Sequence, residues 1–402
     1  EPFMQSMTWL DDLKIRASWG QTGNQYVDEF TYISLVNFNP SYSLGPGNAN
    51  IAPGAYLSDF PVEDLSWETV SSSAVGFDAI FLNNKINLTA EYYYRFTDDI
   101  LQTANLTLST GVPNDPRINL AQVSNQGIEL VIGYNDRFGD LGISFNSNFT
   151  TTRNRVEKLY VNQPGGTEEG FPINYIFGYK TDGIFQTQAE VDEYKATMQD
   201  NGNMAQLAPG DFRFMDLYGS PEENATGKEE FRSVGPDGLV SNLDRTFLGN
   251  RIPGHFYGFT AGADYKGFDF SVTFRGIGDV QKVNWERQRG EDMAGSGRNQ
   301  WVSIRNRWTP ENPSETMPRA VFRDPSDNSR LSNRWVENAG FMRMDNLQLG
   351  YTLPASLLDR ISLGSGRLFI TAQNLFVLTP WTGLDPENII PTTIKLGTNL
   401  SF

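Results

Sequence analysis

The sequence predicts an all-β protein, specifically a transmembrane antiparallel β-barrel. Three observations carry that expectation. Apolar and polar residues alternate with period two along many segments, the mark of a strand with one apolar and one polar face. Aromatics reach 13%, with 27 Phe, 16 Tyr and 8 Trp beside 38 Gly, which favours strands and turns over helices. The connectors between the alternating segments are by turns long and short, as in a barrel with tight turns at one end and long loops at the other.

Ten strands are expected, at about 12–20, 68–81, 85–98, 123–136, 140–154, 255–265, 267–277, 341–353, 366–377 and 392–402. Over residues 85–97, Ile86, Leu88, Ala90, Tyr92, Tyr94 and Phe96 fall on one face, opposite Asn87, Thr89, Glu91, Tyr93, Arg95 and Thr97. Phe268, Phe270, Val272 and Phe274 alternate in the same way with Asp269, Ser271, Thr273 and Arg275. The last segment sets Ile394, Leu396, Thr398, Leu400 and Phe402 against Thr393, Lys395, Gly397, Asn399 and Ser401.

Residues 21–67, 99–122, 155–254 and 278–340 are long connectors, and 378–391 is fairly long. Asn83-Asn84, residues 136–140 and Lys266-Gly267 are tight, and 354–365 is intermediate. With the long loops outside the cell, the C-terminus lies on the periplasmic side. Alternation alone also fits a soluble sandwich or propeller with large insertions, since such a fold too has one wet face.

Composition excludes several function classes. There is no cysteine, so no disulfide, thiol nucleophile or thiolate metal site exists. His255 is the single histidine, which removes most zinc sites and Ser-His-Asp chemistry; it reads as a rim residue. The formal net charge of −16 disfavours nucleic acid. No apolar run reaches the length of a membrane-spanning helix, and Glu1-Pro2-Phe3-Met4 does not read as a secretory start. Gly45-Pro46-Gly47 and Gly165-Gly166 read as turns, not phosphate loops. No carboxylate pair stands out from the 48 acids, so catalysis is not expected.

A string of motifs in order resembles the SusC/RagA family of TonB-dependent transporters. It runs through Leu13-Lys14-Ile15-Arg16-Ala17-Ser18-Trp19-Gly20, Leu65-Ser66-Trp67-Glu68-Thr69, Tyr93-Tyr94-Arg95-Phe96-Thr97-Asp98 and Asn125-Gln126-Gly127-Ile128-Glu129-Leu130. Gly178-Tyr179-Lys180-Thr181-Asp182-Gly183, Pro209-Gly210-Asp211-Phe212, Leu349-Gly350-Tyr351-Thr352-Leu353-Pro354 and Ala372-Gln373-Asn374-Leu375-Phe376 continue it. An aromatic C-terminus such as Phe402 is also typical of outer-membrane proteins.

The resemblance implies an importer of the bacterial outer membrane, driven by TonB and working with a SusD-like surface lipoprotein. Its cargo would be an oligosaccharide, or an oligopeptide as in RagA-like members. Family members carry a plug domain inside a barrel of about 22 strands. Residues 1–402 would then be the C-terminal section of the barrel, with the plug and first strands elsewhere. A passive porin and a soluble carbohydrate-binding β-protein are the rival classes.

Two loop constellations are candidate sites. Trp285, Trp301, Trp308 and Trp335 lie among arginines in or beside 278–340 and could stack on sugar rings or hold peptide side chains; equally, they could pack the loop or line the membrane interface. The family often has an acidic, calcium-like run in its large loop; here Asp216 is set apart from Asp237, Asn242 and Asp244. These four could hold Ca2+ or Mg2+ through hard oxygen ligands, or form a solvated acidic loop.

Overall fold

The computed structural model describes residues 7–401 apart from 26–32, 34, 45, 47–49, 59, 63, 105–108, 110, 113, 160–164, 222–231, 296 and 362. Phe402 and the expected turn at Gly45 and Gly47 lie outside the described residues.

Among the described residues ten long strands form one sheet: β1 Leu10–Asn24, β2 Glu68–Phe81, β3 Ile86–Thr103, β4 Arg117–Phe138, β5 Leu141–Thr151, β6 His255–Tyr265, β7 Phe268–Gly278, β8 Phe341–Thr352, β9 Ser365–Gln373 and β10 Thr393–Ser401. Each pairs antiparallel with the next in the chain, so the sheet is a meander with β1 at one edge and β10 at the other. The expected strand over 140–154 divides after Thr151, and Arg153–Leu159 continues alone along β4. β4 begins earlier than its alternation suggested. Ala121 and Val123 pack there against Val156 and Leu159, a contact that only the tertiary fold supplies.

The tight turns follow from local chemistry. Leu82, Asn83 and Asn84 take left-handed φ of 57°, 58° and 62°, a region that asparagine tolerates. Lys266 and Gly267, at 46° and 88°, make the two-residue turn that matches strand twist. These turns, Gly139-Asp140 and the intermediate connector 353–364 lie at one end of the wall, and the long connectors 25–67, 104–116, 152–254, 279–340 and 374–392 lie at the other.

Strand register gives the wall two unlike faces. One carries the row Ile15, Phe77, Ala90, Leu130, Phe149 and Tyr257, and lower down Ile143, Ala263, Phe270, Leu349, Ile370 and Leu396. Ile15 is 75% exposed and Leu396 83%, far more apolar surface than water tolerates in one patch. A shallow apolar trough of about 890 Å³ crosses this face over Phe270, Leu349 and Ile370.

Aromatics border the face at both ends. Tyr265, Phe268 and Tyr351 align near the tight turns, and Phe149, His255, Phe259, Phe274 and Phe376 cluster near the long loops. An apolar band between aromatic girdles is what a barrel turns toward lipid. Among the described residues no helix is long and apolar enough to cross a membrane, which says nothing of crossing by strands.

The opposite face is polar. Asn146, Thr260, Thr273, Asn346, Gln373 and Thr393 form one cross-strand row. Ion pairs bind neighbouring strands on it, including Arg16 to Asp78 at 2.9 Å and to Glu91 at 3.1 Å.

Candidate functional site: a packed loop module over a polar wall

The connectors 152–254 and 279–340 fold together at the long-loop end. Short strands tie them: Ile176–Gly178 pairs with Thr246–Gly249, and Thr181–Ile184 with Phe212–Phe214. Helix α1, Gln188–Thr197, starts at Thr187, whose hydroxyl accepts from the Glu190 amide. Ile184, Phe212, Phe214, Val240 and Trp308 form a buried core.

At its centre Asp211 is fully buried. It takes Arg319 at 2.7 and 2.8 Å, Ser326 Oγ at 2.8 Å, Asn328 Nδ2 at 2.9 Å and the Ala208 amide at 3.0 Å. A buried carboxylate is tolerable when its lone pairs are all met in this way.

The four tryptophans divide into two pairs. Trp308 is buried, and its indole donates to Gln186 Oε1 at 3.0 Å. Trp335, 1% exposed, donates to the Arg330 carbonyl at 3.1 Å, with the Arg334 guanidinium 4.5 Å from its ring. Both belong to the module's interior. Trp285 and Trp301 remain exposed, at 48% and 38%. Trp285 opens helix α2, Trp285–Glu291, which Asn284 caps through the Arg287 amide. Trp301 lies over the helix at Gly290, where an added Cβ would meet its indole at 2.5 Å.

Charges beneath α2 are paired. Glu291 meets Arg287 at 3.1 Å and Arg334 at 3.2 Å, and Arg287 also holds Glu337 at 2.9 Å. Burial lowers the Arg334 pKa to about 10. Burial pushes the Glu337 carboxyl up, but bonds from Arg287, Thr382 and Asn284 outweigh it and leave it below the usual carboxylate range.

The acidic candidates also gather in this module. Asp244 is fully buried and accepts from the amides of Leu217, Tyr218 and Ser241 at 2.7, 3.0 and 2.7 Å. Asp216 accepts from Asp237 and Gly238, Asp237 from Leu239 and Ser220, and Asn242 from the Tyr179 hydroxyl. Burial raises the Asp216 pKa, and the neighbouring charges of Asp244 and Asp237 add to the rise. Their oxygens are turned to backbone N–H groups. Among the described residues no group of three or more His, Cys, Asp or Glu converges as a metal site.

A second cluster was not anticipated from the sequence. The last connector, 374–392, is pinned to the polar face of β7 and β8. Arg343, 1% exposed, grips both Asp385 oxygens at 2.8 Å, and Arg275 grips both Glu387 oxygens at 3.0 Å. Lys282 donates to the Pro386 carbonyl at 2.5 Å, and Thr382 bonds Glu337. Asp345 is the extra residue of a bulge in β8 and meets Arg275 at 3.0 Å. The one signal in the sequence was two arginines at polar strand positions and an acidic Asp385-Pro386-Glu387 run in a loop; their meeting is long-range.

The family profile described as TonB dependent receptor-like, beta-barrel, matches residues 6–375. TonB-dependent receptor P3 of Formosa agariphila is 28% identical over 404 residues, covering 96% of this chain and 37% of the relative. TonB-dependent receptor SusC of Bacteroides thetaiotaomicron is 26% identical over 418 residues, 100% of this chain and 39% of the relative. The chain thus spans about two fifths of these relatives. The structure titled RagAB peptide importer in its open-open state shares the fold, with TM-score 0.75 and 24% identity over 100% of this chain and 41% of that one. The motifs, the two-faced meander and this match agree, and the chain belongs to the TonB-dependent receptor β-barrel family.

Proposed function

We propose that this chain is the C-terminal section of the barrel of an outer-membrane importer of SusC/RagA type, driven by TonB. Its long loops face the cell exterior and its C-terminus the periplasm. The observation that carries the reading is the ten-strand wall, apolar on one face and polar on the other, with neither edge strand paired on its outer side among the described residues. Unpaired strand edges are untenable in lipid, so further strands of the same transporter complete the barrel beside β1 and β10, around a plug.

A SusD-like surface lipoprotein covers the mouth, and the exposed Trp285 and Trp301 meet that lid or the cargo. Asp216, Asp237 and Asp244 act as a clamp on the loop backbone through the amide hydrogens their oxygens accept, and Asn242 holds the Tyr179 hydroxyl. The cargo is an oligosaccharide, in keeping with the sequence likeness to SusC. An oligopeptide is the second reading, favoured by the fold shared with the RagAB peptide importer. The exposed apolar rows weigh against a soluble carbohydrate-binding protein.

Native mass spectrometry of the complex, gently extracted in detergent, tests this. A co-purifying lipoprotein together with upstream barrel strands is the expected result. The chain alone, or uptake that persists without TonB, sinks it in favour of a passive barrel.

A further inference from the structure

Two anchors of unlike strength hold the last connector to the polar face. The Asp385 side chain is 9% exposed, and both its oxygens meet one terminal nitrogen of Arg343, whose other donates to Asn374 Oδ1 at 2.5 Å. The same carboxylate accepts the amides of Glu387 and Asn388 at 2.9 and 3.1 Å, so this anchor also shapes the loop. The second anchor stands in water. The Glu387 and Arg275 side chains are 33% and 36% exposed, and their two parallel bonds are open to screening by salt.

One donor between the anchors is left over. Arg343 is 1% exposed, and its Nε is buried with no hydrogen-bond partner among the described residues; Glu387 Oε2 lies 4.0 Å away. A buried N–H without an acceptor is costly, and a move of about 1 Å would bring the glutamate to bonding distance. Arg275 would not be stranded by that move. Its Nε already meets Asp345 at 3.0 Å, and its terminal nitrogens would turn to water. The Phe341 ring, 3% exposed, lies 5.8 Å from the Arg275 guanidinium and 5.4 Å from that of Arg343, and fixes their spacing. The cluster sets Lys282, Arg275 and Arg343 against Asp345, Asp385 and Glu387, so its charge balances with the glutamate on either arginine.

We infer that the connector is a two-position latch. Asp385 on Arg343 is its fixed pivot, and Glu387 is the part that moves, held by Arg275 in this structure and by Arg343 Nε in the other position. The first position ties the connector to both β7 and β8. The second ties it to β8 alone and leaves the Arg275 fork open on the polar face. The latch also reaches the loop module. Lys282 donates to the carbonyl of Pro386, between the two carboxylates, and Thr382 bonds Asn284 and Glu337 beside the paired segments Gln281–Val283 and Val336–Asn338. Movement of Glu387 therefore pulls on the foot of the connector 279–340.

The test uses the full transporter in detergent, imaged by electron cryomicroscopy and followed by hydrogen exchange. Arg275→Gln removes the first position. Glu387 is then expected at about 3 Å from Arg343 Nε, with backbone exchange over 379–390 no faster than in the wild type. The wild type in about 1 M salt, where the screening length falls to about 3 Å, should show the same shift, because the buried pivot is screened far less. That measurement serves should Arg275→Gln fail to assemble. Asp385→Asn removes the pivot, and exchange should rise about tenfold or more over both 379–390 and 281–283. Glu387 turned to solvent in Arg275→Gln, with exchange over 379–390 raised as far as in Asp385→Asn, overturns the latch and leaves two independent ties. Exchange over 281–283 unmoved by Asp385→Asn overturns the coupling to the loop module.

Discussion

The wall and the loop module solve the problem of apolar surface in opposite ways. The loop module behaves like a small soluble domain: Trp308, Phe212, Phe214 and Trp335 are inside, and the buried Asp211 has partners on every side. The wall buries little. Ile15, Leu349 and Leu396 stand exposed on its apolar face, and its polar face is left to water and to whatever fills the lumen. The module carries its own core, whereas the wall borrows one from the bilayer. Stability in the two regions should therefore answer to different perturbations.

The largest effect is expected inside the module. Asp211→Ala strands the Arg319 guanidinium and breaks four side-chain contacts, a loss of about 3–5 kcal/mol for a buried pair. Limited proteolysis should then cut within the connectors 165–254 and 279–340 while the strand signal in circular dichroism persists. Loss of the strand signal together with the loops would mean that the two regions are not separable.

The wall is probed by charge on its apolar face. Leu349 is 51% exposed, so Leu349→Lys would be nearly harmless in a soluble protein. Against lipid it should cost about 1–2 kcal/mol, between the midplane and interface values, because Leu349 lies two residues from the aromatic border at Tyr351. Folding yield into vesicles measures this, with Thr273→Lys on the polar face as the mild comparison. Equal yields would place water, not lipid, against Leu349.

The smallest effect concerns protons and cations in the loops. Burial raises the Glu337 and Asp385 carboxyls, but hydrogen bonds from Arg287, Thr382 and Arg343 outweigh it and hold both below their ordinary values of 4.5 and 3.8. A depressed carboxyl stabilises the fold above its unfolded pKa and loses that contribution as pH falls through the folded one. Melting of the loop module should therefore hold steady down to the ordinary carboxylate range and drop below it. At neutral pH the same curve should not move with EDTA; a shift of several degrees would restore a cation at Asp216, Asp237 and Asp244.

The wall was legible in the sequence because period-two alternation is a local property. All ten strands fall where residues such as Phe268, Phe270 and Val272 alternate with Asp269, Ser271 and Thr273. The Arg153–Leu159 extension was harder to read, since Val156 is buried against β4 and not within its own strand. The four tryptophans were found as a group, but their division into buried and exposed pairs was not. That depends on whether a backbone carbonyl or a side-chain oxygen from far along the chain meets the indole, as Arg330 meets Trp335 and Gln186 meets Trp308. The Arg343–Asp385 latch was invisible for the same reason: neither residue has a local cue for the other.

The strict meander has a further consequence for how such a chain can change. Each pair of strands joined by a tight turn is a hairpin complete in itself, and the long connectors only stitch hairpins together. Loop-closure cost grows with the logarithm of length, so the connector over 152–254 closes at about 2 kcal/mol more than the one over 104–116. An insertion at that end is nearly free, whereas one residue added to the Lys266-Gly267 turn would shift every side chain of the following strand to the wrong face. Variation can thus accumulate almost without limit in the long connectors of this wall and scarcely at all in its tight turns.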